Sequence, residues 1–332
     1  MKGFASIIIG MIFILMGCST IPAQPIPADV EARDYFCDNS PFNQEIPIGT
    51  SYILEEQIQS FRQNREEWSA PIYRVNENLN PPLVAIANDY STRVENWSIP
   101  VDAIPATADD HHLIVLVPAE GMIYEMWNAR WLDTSNIAAG GMKNFPIDGT
   151  GISDPPNQRV TAAGFSVLAG MLIREDFVDP ETGLFDVTRP IEHALSMSLH
   201  FDIVGTDTFI PPAVGGESQG LAAPNGIPMG ARFAIGSNMT DEALAELHPL
   251  SRAMALAARD YGIYVNDTNS SQMYEDGYVG NVRVEVGLPE LLFNQTADAL
   301  ANRVRREIGD LINLYGFYHL EYPDPQALPC AG

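Results

Sequence analysis

One stretch near the middle of the chain constrains the fold more than any other: residues 111–132, with the sequence HHLIVLVPAEGMIYEMWNARWL. Residues 113–117 are five consecutive β-prone apolar residues, and the segment 118–121, which contains Pro and Gly, separates them from a second apolar run beginning at Met122. Two such runs joined by a short breaker segment predict a β-hairpin. We therefore expect the other elements to pack around this hairpin.

Side-chain alternation along the second strand of the hairpin places an acid among aromatic residues. With a period of two, one face carries Ile123, Glu125, Trp127, Ala129 and Trp131. If this face is dry core, Glu125 must be paired or hydrogen-bonded, because an unpaired buried carboxylate is costly. If it lines a cleft, the two indole rings would stack on the C–H face of a sugar while Glu125 handles protons. The pattern alone leaves both interpretations open.

The N-terminal residues differ from the rest of this 332-residue chain. Residues 1–17 combine Lys2 with a short apolar run, which is typical of a secretory signal and too short for a membrane-spanning helix. The junction LMGC resembles the lipobox of bacterial lipoproteins. This resemblance implies cleavage before Cys18, lipidation of its thiol and, with Ser19 next, delivery to the outer membrane. The alternative is an ordinary signal peptide without an anchor.

After the expected lipidation site, residues 18–34 are Pro-rich and polar and read as a tether, followed by a single domain at residues 35–332. Two further cysteines, Cys37 and Cys330, lie near opposite ends of this domain. An exported protein meets a compartment that permits disulfides, so we expect these two to bond. The alternative is a pair of free thiols.

The formal net charge of −25 at pH 7 excludes some partners. Such a field repels nucleic acid and anionic lipid, so we expect contact with a membrane only through the anchor. It also opposes a strongly polyanionic substrate unless a local arginine cluster reverses the sign. We expect no cofactor and no metal site, because the usual nucleotide-binding and metalloprotease motifs are absent from the sequence.

A second alternating segment, residues 193–204, predicts a strand with one apolar face. Its other face carries His200 and Asp202, a spacing that suits an acid–base pair, a substrate contact or a metal pair whose third ligand the sequence does not identify, or else a solvated strand face. His193 falls on the apolar face, where it is either a hydrogen-bonded core histidine or an acid–base group. Further predicted elements are a long loop at 136–157, a short buried helix at 162–177, amphipathic helices at 249–261 and 295–315, a strand at 263–265 that ends near Asp267, and a strand at 280–287.

Several segments together resemble a group of uncharacterised secreted bacterial proteins. The matching strings are HHLIVLVPAEGMIYEMWNAR, TAAGFSVLAGMLIRED, IEHAL, IPMGARF and YGIYVND, so the resemblance covers roughly residues 38–270. It implies a shared fold and secretion, and it draws attention to the polar residues within the strings, which are His112, Glu125, His193, Arg232 and Asp267. A histidine that these relatives carry after the IEHAL strand is absent here, and the helix at 295–315 is not part of their pattern.

The string IYEMWN is separately similar to the strand that carries the nucleophile of certain jelly-roll endoglucanases. We therefore expect a mainly β (α+β) domain, a jelly-roll or concanavalin-like sandwich with peripheral and C-terminal helices. The function hypothesis is a surface-tethered glycoside hydrolase or polysaccharide lyase acting on an extracellular glycan. The rival hypothesis is a non-catalytic glycan-binding or structural envelope lipoprotein.

The hypothesis assigns a role to each candidate residue. Glu125 is the expected catalytic carboxylate, with His112, His193 and Asp267 as acid–base candidates. The expected substrate-binding residues are Trp127, Trp131, Arg232, His200 and Asp202, with Arg232 orienting a carboxylate or fixing Glu125.

Overall fold

The computed structural model describes residues 35–65, 69–75, 81–108, 110–220, 226–270, 277–321 and 330. The expected signal, the tether and Cys18 lie outside these residues. The protein is mainly β, with 35% strand and 19% helix. Within the described part of the chain, none of the helices has both the length and the apolar character needed to cross a membrane.

The strands and α-helices follow one another along the chain as β1 (Ser51–Leu54), β2 (Ile58–Gln63), β3 (Ile72–Arg74), β4 (Leu83–Asn88), β5 (Val94–Ser98), β6 (Leu113–Val117), β7 (Met122–Trp127), β8 (Arg130–Asp133), β9 (Asn136–Ala139), β10 (Gly141–Pro146), β11 (Leu195–His200), β12 (Val204–Phe209), β13 (Ile227–Met229), β14 (Arg232–Ile235), α1 (Pro249–Asp260), β15 (Ile263–Asn269), β16 (Tyr278–Val282), α2 (Leu288–Phe293), α3 (Ala297–Tyr315) and β17 (Phe317–Glu321).

These strands form three sheets and a small ribbon. The large sheet has the order β1-β17-β14-β15-β11-β16-β2, the central sheet β10-β7-β6-β3 and the outer sheet β5-β4-β9-β8, while β12 pairs with β13. In the large sheet β11 runs parallel to β15, and β16 runs parallel to β2. A jelly roll is built from antiparallel strands, so this mixed sheet does not confirm the expected jelly-roll sandwich.

The central sheet lies between two apolar clusters because its residues alternate between them. Ile114, Leu116, Ile123 and Phe145 belong to the larger cluster, which also contains residues of the large sheet and of helices α1 and α3. Residues on the opposite face of the same strands belong to the smaller cluster, which is shared with the outer sheet: Leu113, Val115, Val117, Tyr124, Met126 and Met142. Burial on both faces explains why residues 113–117 are apolar without a break.

The predicted hairpin is present. Strands β6 and β7 pair antiparallel from Leu113 with Met126 to Val117 with Met122, and a 3-10 turn at Pro118–Glu120 joins them. Gly121 has a φ of 65° and closes the turn. The long loop predicted at residues 136–157 is wrong in its first part, because β9 and β10 form there and β10 extends the central sheet beyond β7.

The helix predicted at residues 162–177 is also wrong. The segment is buried but consists of turns, with a single 3-10 turn at Arg174–Phe177. Gly164 and Gly170 have φ values of 80° and 73°, which interrupt any helix. A Cβ atom at Gly170 would lie 2.5 Å from the backbone nitrogen of Ser196, so this close approach to β11 requires glycine.

Other predictions are confirmed. Helices α1 and α3 form with the expected apolar sides buried, and the Gly316 backbone N–H bonds to the carbonyl of Ile312 at the end of α3. Cys37 and Cys330 form a disulfide with Cα atoms 5.8 Å apart, which closes a loop across a sequence separation of 293. The disulfide therefore joins the two ends of the described domain.

Candidate functional site

A cluster of polar side chains lies where the large sheet faces the central sheet. We call it the Arg283 cluster, and it consists of Asp110, His112, Trp127, Asp267 and Arg283. Asp110 and His112 lie just before β6, Trp127 ends β7, Asp267 lies in β15 and Arg283 directly follows β16. The cluster therefore collects residues from four separate parts of the chain.

Strand register explains why the large sheet presents polar groups here. Four polar residues on four neighbouring strands stand opposite one another in one row: Arg62, Asn281, Ser198 and Asp267. The Arg62 Nε donates to Asn281 Oδ1 at 3.0 Å. A bulge in β15 between the partners of Met197 and Ser198 brings Asp267 into the row. Arg62, Asn281 and Ser198 are buried and Asp267 is partly buried, so the row forms a polar strip across four strands of the large sheet.

Arg283 connects the two sheets. Its Nη2 donates to His112 Nε2 at 3.1 Å and to Asp267 Oδ2 at 3.0 Å. A guanidinium group only donates, so Nε2 must accept and His112 is neutral with its proton on Nδ1. Burial, followed by the charge of Arg283, lowers the pKa of His112 to about 3. The imidazole therefore positions Arg283, and these contacts do not favour it as a general acid.

Asp267 is the carboxyl group of the cluster with the clearest proton chemistry. Burial raises the pKa of Asp267 to about 6, with the charge of Asp110 adding to the rise and Arg283 opposing it. Its Oδ1 also accepts from the Thr268 N–H at 3.0 Å. The Asp267 side chain is 18% exposed, against 6% for Arg283. Asp267 thus carries a proton for part of the time at neutral pH and is within reach of solvent.

Trp127 stands beside the second carboxylate. Its Nε1 donates to Asp110 Oδ1 at 3.1 Å, and both residues are half-buried. Gly140 leaves room for the ring, because a Cβ atom there would lie 2.7 Å from the indole Cε3 and Cζ3 atoms. The indole ring is therefore held by the hydrogen bond at Nε1 and packs closely against the backbone of Gly140.

Glu125 does not line an open cleft. It is fully buried, and its carboxylate accepts from Ser166 Oγ at 2.5 Å, Val167 N at 2.7 Å and Leu168 N at 3.1 Å. Burial raises the pKa of Glu125 to about 7, although the three donors and the charge of Arg283 act in the opposite direction. Glu125 is therefore surrounded in the way expected of a hydrogen-bonded core residue. Its three donors do not include Arg232, the expected partner.

The expected pair of indoles beside Glu125 is half correct. Glu125 and Trp127 do share a face of β7. The strand ends at Trp127, however, and Asn128, with a φ of 52°, turns the chain toward β8. Trp131 consequently lies in the outer sheet, where its Nε1 donates to the Ala103 carbonyl at 2.6 Å. The prediction of one continuous strand from Met122 to Trp131 is wrong, because the chain forms two strands, β7 and β8, in different sheets.

Two further candidates lie apart from the Arg283 cluster in their contacts. His193 Nε2 lies 3.3 Å from Asp176 Oδ1, whose charge raises the pKa of His193 against the opposing effect of burial. Arg232 is buried, donates to the carbonyls of Tyr261 and Gln44, and lies 5.1 Å from the centre of the Tyr264 ring. Both sets of contacts support packing.

His200 and Asp202 are neighbours, as predicted. The His200 Nδ1 accepts from the Asp202 N–H at 3.2 Å and lies 3.5 Å from its Oδ2. Asp202 lies in the turn after β11 instead of on the strand. The imidazole stacks on Phe201, with ring centres 4.3 Å apart. His200 pairs with Asn269, two positions along the strands from the pair of Ser198 and Asp267.

Sequence reasoning missed Asp110 and Arg283. Arg283 has a signal in the string NVRVEV at residues 281–286, where polar and apolar residues alternate strictly and predict one polar face. Asp110 has only its place before the hairpin as a signal. Among the residues that the structure describes, no three His, Cys, Asp or Glu side chains are grouped so that they could hold a metal ion.

Comparisons of the chain with protein-family models, with curated proteins and with solved structures found no match.

Proposed function

We propose that the protein is an envelope-tethered enzyme acting on an extracellular polysaccharide, as a glycoside hydrolase or a polysaccharide lyase. In this proposal Asp267 and Asp110 replace Glu125 as the working carboxyl groups. The observation that carries it is the position of a partly exposed carboxyl group, with a pKa of about 6, in one cluster with a second carboxylate and an indole ring.

Each group has a task in the proposed reaction. For hydrolysis, protonated Asp267 gives its proton to the glycosidic oxygen as the C–O bond breaks, and Asp110 takes a proton from the water molecule that adds to the anomeric carbon. For elimination, Asp110 takes the proton from the carbon next to the sugar carboxylate, a C=C bond forms as the C–O bond breaks, and Asp267 protonates the departing oxygen. Trp127 supplies an apolar surface for the C–H face of a sugar ring. The three donors to Glu125 fix the turn at residues 166–168 against β7. Glu125 would thus support the strand that carries Trp127.

The supporting residues hold the charges in place. His112 accepts from Arg283, and Arg283 in turn holds one oxygen of Asp267. Because Arg283 lowers the pKa of Asp267 and Asp110 raises it, the proton affinity of the acid depends on both neighbours. The proposal does not depend on the jelly-roll comparison.

The test is a polysaccharide panel assayed for new reducing ends and for unsaturated products. We expect one or more glycans to be cleaved, and Asp267→Asn to lower turnover by about 10² to 10⁴-fold while glycan binding is retained. Asp89→Asn is the matched control, since Asp89 forms a surface ion pair with Arg130. Turnover that is unchanged in Asp267→Asn removes this residue from the mechanism.

The same panel separates the rival functions. Binding without any product would favour a non-catalytic glycan-binding lipoprotein, for which Trp127 and the rings around His200 would suffice. Neither binding nor cleavage would favour a structural envelope protein. Either result would contradict the enzyme proposal.

A further inference from the structure

Arg283 has an unused donor. Its Nη1 is buried and makes no hydrogen bond to any described residue, although Nη2 makes two. A buried N–H group without a partner costs free energy that a fold normally avoids. Several buried side-chain atoms lack a partner among the described residues, and in the Arg283 cluster these are Nη1 of Arg283 and Nδ1 of His112. Nη1 belongs to the charged group that already binds a carboxylate, and this makes it the atom most suited to a partner that arrives from outside.

An unused acceptor lies close by in the chain. Asn266, directly before Asp267, is buried and donates through Nδ2 to Ser196 Oγ at 3.1 Å, while its Oδ1 has no partner among the described residues. Two groups next to Asp267, in its contacts or in the chain, thus lack a partner among the described residues: Nη1 of Arg283 and Oδ1 of Asn266. Nη1 requires an acceptor and Oδ1 requires a donor, and a sugar that carries a carboxylate and hydroxyl groups supplies both.

We propose that the substrate is a uronate-containing glycan whose carboxylate binds the Nη1 and Nη2 atoms of Arg283 by displacing Asp267. The inference rests on the proposed function and names its substrate class. A guanidinium fork binds a planar carboxylate through two parallel hydrogen bonds, which is the geometry that Arg283 can offer. A hydroxyl group of the same sugar would donate to Asn266 Oδ1.

In this proposal the substrate carboxylate replaces Asp267 as the partner of Arg283 Nη2, and Asp267 loses its contact with the guanidinium group. Asp267 is the more exposed member of its pair with Arg283. A substrate carboxylate that approaches past Asp267 takes over Nη2 and gains Nη1, so one charge-assisted contact is replaced by two. Asp267 is then released from the guanidinium at the moment when substrate is present, and it is available for proton transfer.

The net charge of −25 decides what kind of ligand is suitable. A long polyanion is repelled by the field of the whole protein, whereas this local site needs only one carboxylate at a time. Short oligomers therefore make the cleaner probes.

The experiment compares oligomers of polygalacturonate, alginate and glucuronan, each with its carboxyl-reduced neutral counterpart. Within each pair only the carboxylate differs. Using calorimetric titration at low salt, we expect at least one acidic oligomer to bind the unmodified protein about tenfold or more tightly than its neutral counterpart. Added salt should weaken this preference.

Variants locate the effect. Arg283→Gln should abolish the preference, and Arg283→Lys should retain only part of it, because an ammonium keeps the charge and loses the fork. Arg130→Gln, on the surface, is the matched control for loss of an arginine. Since the central comparison uses the unmodified protein, it stands even where Arg283→Gln fails to fold.

The outcomes distinguish the two proposals. Equal or tighter binding of the neutral oligomers, with cleavage that depends on Asp267, would overturn the uronate inference and leave the proposed function standing. No binding and no cleavage of any oligomer, acidic or neutral, in agreement with a negative polysaccharide panel, would overturn both.

Discussion

Two buried arginines in this protein differ in how completely they are paired. Arg74 donates to both oxygens of Glu175 at 2.5 and 2.6 Å and to both oxygens of Glu285 at 2.7 and 2.8 Å. Arg174 adds a contact of 2.5 Å to Glu285. We call this the Arg74 cluster. Arg283, in contrast, has a neutral imidazole and one partly protonated carboxyl group as partners, and its Nη1 has none in the part of the chain that the structure describes.

The two clusters differ in how completely their charges are paired. In the Arg74 cluster two cations face two carboxylates, and the contacts join β3 to the 3-10 turn at Arg174–Phe177 and to the segment after β16. Complete pairing offsets the cost of desolvating these charges. The Arg283 cluster, which draws Asp267 from the large sheet, is paired less completely among the described residues, and incomplete pairing of buried charges lowers stability. The proposed function would require such a site to remain ready for a ligand.

The largest expected effect comes from breaking the complete cluster. Arg74→Met leaves the buried carboxylates of Glu175 and Glu285 without their main partner, and we expect a loss of about 3 to 5 kcal/mol in the free energy of unfolding. Urea denaturation at neutral pH measures it. Arg130→Met, which removes a surface ion pair, is the control and should change stability little. Equal losses in the two variants would contradict the assigned role of the Arg74 cluster.

The next effect concerns Glu125, which is fully hydrogen-bonded but has a pKa of about 7. Because this value is above that of the unfolded chain, the folded state holds the proton more tightly. The contribution of Glu125 to stability is complete below about pH 4.5 and is lost as pH rises through about 7, by up to about 3 kcal/mol.

Denaturation at several pH values tests this. Glu125→Gln should be less stable at low pH, because one amide oxygen cannot serve three donors, and its stability should depend less on pH. A profile for the variant as steep as that of the unmodified protein would assign the pH dependence to other groups.

A smaller loss is expected for Arg283→Met. The variant removes an unsatisfied nitrogen along with two hydrogen bonds, and Asp267 can remain protonated, so we expect less than about 2 kcal/mol at slightly acidic pH. The pKa of Asp267 and of Glu125 should both rise, since Arg283 lowers both. Carboxyl NMR titration and urea denaturation measure these changes. A loss as large as that of Arg74→Met would make the Arg283 cluster a structural element.

The smallest effect concerns the pair of His193 and Asp176. The pKa of His193 is raised by Asp176, so the pair stabilises the fold fully below the unfolded histidine value of about 6.5 and is lost as pH rises through the folded value. Asp176→Asn keeps the oxygen that accepts from the Ile173 N–H and removes the charge. It should therefore destabilise the protein more in acid than in alkali, as measured by denaturation on both sides of neutrality.

Local pattern was sufficient for several strands and helices and for the face that Glu125 shares with Trp127. Strict alternation identified β7 and β11, and helical periodicity identified α1 and α3, because each of these packs one or both faces against apolar neighbours. The failures at residues 136–157 and 162–177 have a common cause. Those segments are ordered by contacts with β7 and β11, which are distant in sequence, and not by their own propensity.

The candidate site was harder to predict because it depends on those distant contacts. The burial of Glu125 is decided by donors about forty residues further along the chain, at Ser166, Val167 and Leu168. The row that contains Asp267 depends on a bulge and on the pairing of four strands. Asp267 was identified from sequence, whereas its connection to Arg283 required the register of the sheet.

Strand β7 packs against an apolar cluster on each of its two faces, and this limits which changes in its sequence and length the fold can accept. Sliding this strand by one position would bring Glu125 into the apolar cluster around Met142 and would turn Tyr124 and Met126 toward the polar row. Insertions or deletions within the strand are therefore excluded, and the connection that follows it is fixed as well, because the N–H groups of Asn128 and Ala129 donate to the carbonyls of Asp110 and His111. A strand whose position is fixed in this way also fixes Trp127 at its end, next to Asp110.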